Sequence, residues 1–192
     1  EYTDDEDSTS NNNLMVVEED EPYILGESDI FKQNIGKFKT KKGRNIYYYG
    51  EEFGNEITII NNLFKKINTL NDLFEILLKC WDKDTAQAKA QNKYIHDKNP
   101  TYGQSEITAV LVNEMYGGSI HKVELKDGDI HFFNRINNHY IDLTKDQFDL
   151  EGIKILYEPN EIIEVGYLNS NEDILERYTK LKNKIKKYEK TS

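Results

Sequence analysis

A histidine, a carboxylate and a hydroxyl fall where elementary geometry can bring them to bear on one another. Asn137-Asn138 separates two stretches that alternate between apolar and polar residues, and asparagine tolerates the positive φ of a type I′ hairpin turn. A two-residue turn there pairs Ile136 with His139, so Phe133 comes opposite Asp142 and His131 opposite Thr144. His131 and Asp142 then share a face as diagonal neighbours, with Cβ atoms about 7 Å apart, close enough for a histidine–carboxylate hydrogen bond. A carboxylate on Nδ1–H fixes the tautomer and leaves Nε2 free as a base. A slip of one residue would send the two to opposite faces.

The hydroxyl is Ser105, which follows Gly103-Gln104 and opens an apolar run through Ile107, Ala109, Val110, Leu111, Val112 and Met115. That density predicts a helix buried on most sides, with Ser105 at its N-terminus and Gly117-Gly118 as its stop. A helix start favours an anion through its dipole and free amides, so a cysteine there would have its thiolate stabilised. A serine gains less, because its hydroxyl needs a base to take the proton during attack. Amides of the first turn, with the Gln104 side chain, are candidates for an oxyanion hole. The same residues have plainer readings: a serine at a helix start is commonly an N-cap, and a His–Asp pair on a hairpin is commonly a surface pair. His96, His121 and His139 read as incidental. A zinc site from His121, His131 and Asp142 lacks a supporting spacing motif, so no metal or cofactor is expected.

Several elements must position these groups. Thr69 and Asp72 have the spacing of a capping box, and Leu70, Leu73, Phe74, Leu77 and Trp81 follow the rhythm of one buried helix face. Cys80 falls at the end of that helix and reads as a core residue. Residues 120–125, 130–135, 139–143 and 153–157 read as strands. A final helix follows, capped by Ser170 and carrying Ile174, Tyr178, Leu181, Ile185 and Tyr188 on one stripe. Helix, helix, antiparallel strands, helix is an α+β layout, with helices packed on one side of a sheet.

Charge divides the chain. Of the 35 acidic residues, eleven lie within residues 1–31, which contain no Lys or Arg, so the other 24 face all 25 basic residues. Residues 1–21 read as an acidic disordered leader, free to contact the rest of the chain. Residues 22–66 read as a small β-rich appendage, with strand candidates at 37–41, 45–49 and 56–60, and residues 67–192 as the main domain. A near-neutral main domain offers no footprint for nucleic acid, and no apolar run is long enough to span a membrane. One cysteine excludes an intrachain disulfide and fits a reducing, cytoplasmic compartment.

Trp81 with Thr85, Pro100, Gly103-Gln104-Ser105, Thr108-Ala109, Gly117-Gly118, His131 to Asn134, and Ile141 to Thr144 with Gln147-Phe148 form an ordered string. It resembles the YunG-like bacterial family over residues 74–148, and loosely at Arg177 and Leu181. The resemblance implies a papain-like cysteine-hydrolase scaffold acting on peptide or protein substrates through an acyl-enzyme. It implies Ser105 at the nucleophile position, His131 as base, Asp142 as orienting carboxylate, Gln104 as oxyanion donor, and Asn134 and Trp81 in support. Ser105 stands where the family pattern has cysteine. An introduced exchange, a pseudoenzyme and a working serine nucleophile all fit that departure, and a non-catalytic protein-interaction module is the alternative to a peptidase or amidase.

Overall fold

The computed structural model describes residues 37–164 and 166–192; the expected acidic leader and the start of the 22–66 segment lie outside the described residues. The capping box forms: Thr69 Oγ1 accepts from the Asp72 N–H at 3.1 Å, and Asp72 Oδ2 accepts from the Thr69 N–H at 2.9 Å. This satisfies two amides that a helix start leaves open and begins helix α1, Leu70–Cys80. Its apolar face, Leu70, Leu73, Phe74 and Leu77, is wholly buried. A turn at Lys83–Thr85 and a short helix α2, Ala88–Gln91, lead to α3, Ser105–Tyr116. Ten of the twelve residues of α3 are buried, which is why its sequence shows apolar density and little polar face. Gly117 ends it at φ 81°, with its N–H on the Asn113 carbonyl.

Four antiparallel strands follow: β1 Ser119–Glu124, β2 Ile130–Ile136, β3 His139–Ile141 and β4 Glu161–Ile163, in the order β3-β2-β1-β4. A short helix α4, Asp146–Asp149, lies between β3 and β4, and a long helix α5, Glu172–Thr191, follows them. The β2–β3 register is the one the turn arithmetic gives, with Ile136 opposite His139, and Asn137 and Asn138 adopt φ of 53° and 68°. The sheet has two unlike faces. Ile130, Phe132 and Ile136 of β2 join the large apolar core with α1, α3 and α5. Phe133, one position out of phase, joins a small outer cluster with Val123, Phe148, Ile155 and Tyr157.

Three expectations need correction. Residues 153–157 keep the alternation of a strand, with Ile155 and Tyr157 buried, but they form no ladder. Their side chains cover the outer face, and the fourth strand is instead β4, pairing Ile163 with Ile120 of β1. The strand candidates before residue 61 appear as isolated bridges, Lys39 with Asn45, Tyr49 with Asp142 and Thr58 with Thr69. Phe38, Ile46, Tyr48, Ile57 and Phe64 lie in the same core as α1, and Phe38–Ser192 cluster as one unit. The cap of α5 is Asn171, whose Oδ1 accepts from the N–H groups of Asp173 at 2.8 Å and Ile174 at 3.2 Å, while Ser170 closes the preceding turn. Among the described residues no helix is long and apolar enough to cross a membrane.

Candidate functional site

Asp142 follows β3, where the Tyr49 backbone grips it from both sides: Tyr49 N–H donates to its carbonyl at 3.2 Å and its own N–H donates to Tyr49 O at 3.0 Å. That fixes its side chain beneath His131 on β2. His131 Nε2 and Asp142 Oδ2 lie 2.7 Å apart, with both residues 2% exposed or less. Tyr157 donates its hydroxyl to the same oxygen at 2.8 Å, and Thr144 donates its N–H at 3.1 Å and its hydroxyl at 3.3 Å to Oδ1. Burial pushes the Asp142 carboxyl up, but the charge of His131 and these hydrogen bonds outweigh it and hold the group below the usual carboxylate value. Burial, and then the Asp142 charge, push the Tyr157 hydroxyl far above its ordinary value, so it stays a donor. The Phe148 ring stands edge-on to His131 at 4.7 Å and closes one side.

One detail reverses the expected orientation. The carboxylate holds Nε2, so the ring nitrogen left for chemistry is Nδ1. Ser105 is the first residue of α3, with Gln104 as its N-cap. Its hydroxyl oxygen accepts the Phe132 N–H at 3.3 Å, which places it against the backbone next to His131. Strand alternation turns Phe132 toward α3 and His131 toward the outer cluster, and no hydrogen bond joins Ser105 to His131. The structure thus unites His131 with Asp142, while the Ser105 hydroxyl meets the backbone amide of the neighbouring Phe132.

Gln104, expected as an oxyanion donor, is bonded within the fold. It is fully buried, its Oε1 accepts from Thr85 Oγ1 at 2.8 Å, and its Nε2 donates to the Asp82 carbonyl at 2.9 Å. It therefore ties the turn before α2 to the start of α3. Trp81 and Asn134 support α3 directly: the indole N–H donates to Thr108 Oγ1 at 2.9 Å, and Asn134 Nδ2 donates to the Ala109 carbonyl at 2.9 Å. Beside Ser105, the buried Glu106 takes Arg177 of α5 at 2.7 Å and the Tyr167 hydroxyl at 2.6 Å. Arg177 also takes Asp173 at 2.8 Å. An arginine fork suits this arrangement because it satisfies two carboxylates at once.

Sequence reading missed Tyr157, whose only signal was an alternating stretch, and gave Thr144 no role beyond its place opposite His131. It also passed over His121, which is 3% exposed and has partners on both ring nitrogens: Ser119 Oγ at 2.7 Å from Nε2 and Asn160 Oδ1 at 2.8 Å from Nδ1. Cys80 is buried and its thiol is pushed up to about 11, mainly by that burial, in keeping with a core residue. Among the described residues no cluster of three His, Cys, Asp or Glu side chains is arranged to hold a metal ion.

An α+β domain with this string of residues is the kind of protein that comparison with known sequences can place. The family model described as YunG protein matches residues 69–190, and the chain belongs to the YunG family. The protein named "Uncharacterized protein YunG" of Bacillus subtilis (strain 168) is 34% identical over 74 residues, 38% of this chain and 62% of that protein. The chain therefore spans less than two thirds of that relative's length. No solved structure matches significantly.

Proposed function

We propose that this YunG domain is a papain-like, thiol-hydrolase-type scaffold for acyl transfer from peptides, amides or isopeptides. Position 105 is the nucleophile site, His131 the base and Asp142 the carboxylate that orients it. The observation that carries this reading is the sealed His131–Asp142 pair, one residue along β2 from the amide that touches the position-105 hydroxyl. A thiolate at the first turn of α3 would attack the carbonyl carbon, His131 would give its proton to the leaving amine, and water would release the acyl group. With serine in that place the reaction stalls at its first step. The Phe132 N–H donates to the Ser105 oxygen, and among the described residues no side chain takes the hydroxyl proton.

The test is Ser105→Cys, followed by iodoacetamide labelling at neutral pH. The new thiol should react roughly tenfold or more faster than free cysteine, as low-pKa thiols do, and His131→Ala in that background should return it to the free-thiol rate. Cys80 is an internal control, expected to label slowly. Labelling of Ser105→Cys no faster than free cysteine would sink the reading. A second reading, a non-catalytic interaction module on a degenerate hydrolase fold, draws support from the missing Ser105–His131 hydrogen bond. It predicts that slow outcome, together with partner binding that survives both His131→Ala and Asp142→Ala.

A further inference from the structure

The outer face of the sheet holds a second arrangement of hydroxyl, imidazole and amide whose protons can be traced. Asn160 Nδ2 donates to the Tyr157 carbonyl at 2.8 Å and to the Tyr140 hydroxyl at 3.1 Å. A carbonyl accepts only, so the amide is fixed with Oδ1 toward His121. Oδ1 likewise only accepts, so His121 Nδ1, 2.8 Å away, carries the proton in the neutral ring. Nε2 is then the bare nitrogen, and the Ser119 hydroxyl, 2.7 Å from it, must be the donor. This is the order of a nucleophile, a general base and an orienting acceptor. Ser105 has the opposite polarity, accepting a hydrogen bond through its oxygen.

We propose that Ser119, His121 and Asn160 form a second nucleophilic site, which takes an acyl group from a small activated ester bearing an anionic group. The anion preference comes from Arg135, the residue directly opposite Ser119 in the β1–β2 pairing and so on the same face. Arg135 is exposed, and its guanidinium lies 5.6 Å from the centre of the Tyr140 ring. Ser119 is half-buried, whereas His121 is buried. In the reaction the Ser119 Oγ–acyl bond forms and the ester C–O bond breaks. The serine proton passes to His121 Nε2 and on to the leaving oxygen. Water then attacks the acyl-serine carbonyl, giving a proton to His121 Nε2; the acyl–Oγ bond breaks, Ser119 Oγ takes that proton back, and the acid departs.

The test uses the whole chain with two probes, mono-4-nitrophenyl succinate and 4-nitrophenyl acetate. Nitrophenolate release is followed, and acid-quenched protein is mapped for the acylated peptide. The expected result is an acyl group on Ser119 that is absent in Ser119→Ala. His121→Ala should slow acylation roughly 100-fold, the lower end for a general base. Arg135→Met should erase the preference for the succinyl ester. Because His121 is buried, Ser119→Ala, which trims a half-buried hydroxyl, guards against a folding artefact. No acyl-serine, or acylation on lysines or on Ser105 alone, overturns the proposal. The reading of position 105 stands or falls separately, on the Ser105→Cys thiol.

Discussion

His131 and His121 share one face of the sheet, with the Phe133 ring stacked between them at 6.5 Å from the first and 5.8 Å from the second. They are held in opposite ways. His131 leans on a carboxylate that accepts four hydrogen bonds and is closed off from water. His121 is held by an amide and a hydroxyl, both uncharged, the hydroxyl coming from the half-buried Ser119. A buried charge pair is rigid and costly to break, whereas a neutral relay is cheap to hold and leaves a proton in place to move. The same face thus carries two histidines held differently, one against a buried carboxylate and the other against a hydroxyl.

The hardest test of that contrast is Asp142→Ala. It strands His131, Tyr157 and Thr144 as buried donors, and urea unfolding should show a loss of about 3–5 kcal/mol. A loss below about 1 kcal/mol would rank the pair with exposed salt bridges and dissolve the contrast. The same carboxylate supplies a pH arm. Its folded pKa lies below the unfolded value of about 4, so its stabilisation is full above that value and fades as pH falls through it toward the folded pKa. Asp142→Asn should flatten the acid limb of stability against pH. Next in size is Tyr157→Phe, which deletes a hydrogen bond to a charged acceptor and should lower stability by about 1.5–3 kcal/mol in the same denaturation experiment. Smallest is Asn160→Ala, which gives up neutral hydrogen bonds and should cost about 1 kcal/mol while removing the preferred tautomer of His121. Nitrogen-15 chemical shifts of the imidazole would report that change, and an unchanged Nδ1–H signal would count against the proton order assigned to the relay.

What could be read from sequence was local. The Asn137-Asn138 turn sets the β2–β3 register because two residues in positive φ allow one pairing, and the His131–Asp142 contact follows from it. The Thr69 cap and the buried face of α1 are likewise fixed within a few residues. The rest depends on chain segments meeting from afar. Tyr157 reaches Asp142 across 15 residues and Asn160 reaches His121 across 39, and no local pattern names either partner. Residues 153–157 show why alternation alone misleads. It records that every second side chain is covered, which holds for a segment lying over a sheet as well as for a strand within one. The bonds of Gln104 were hidden for a related reason, since its neighbours give no sign of the distant Thr85 and Asp82 that it meets.

The Glu106–Arg177 pair has a consequence for the order in which the chain is made. The carboxylate beside the first turn of α3 finds its cation 71 residues further along. While the ribosome is still supplying the sheet, α3 can bury its apolar side but must carry an unbalanced charge where the candidate nucleophile sits. An unpaired buried carboxylate is costly enough to keep that turn frayed. The start of α3 is therefore expected to settle only when α5 arrives, and a nascent chain halted before residue 177 should show the core protected from hydrogen exchange and the Ser105 turn open.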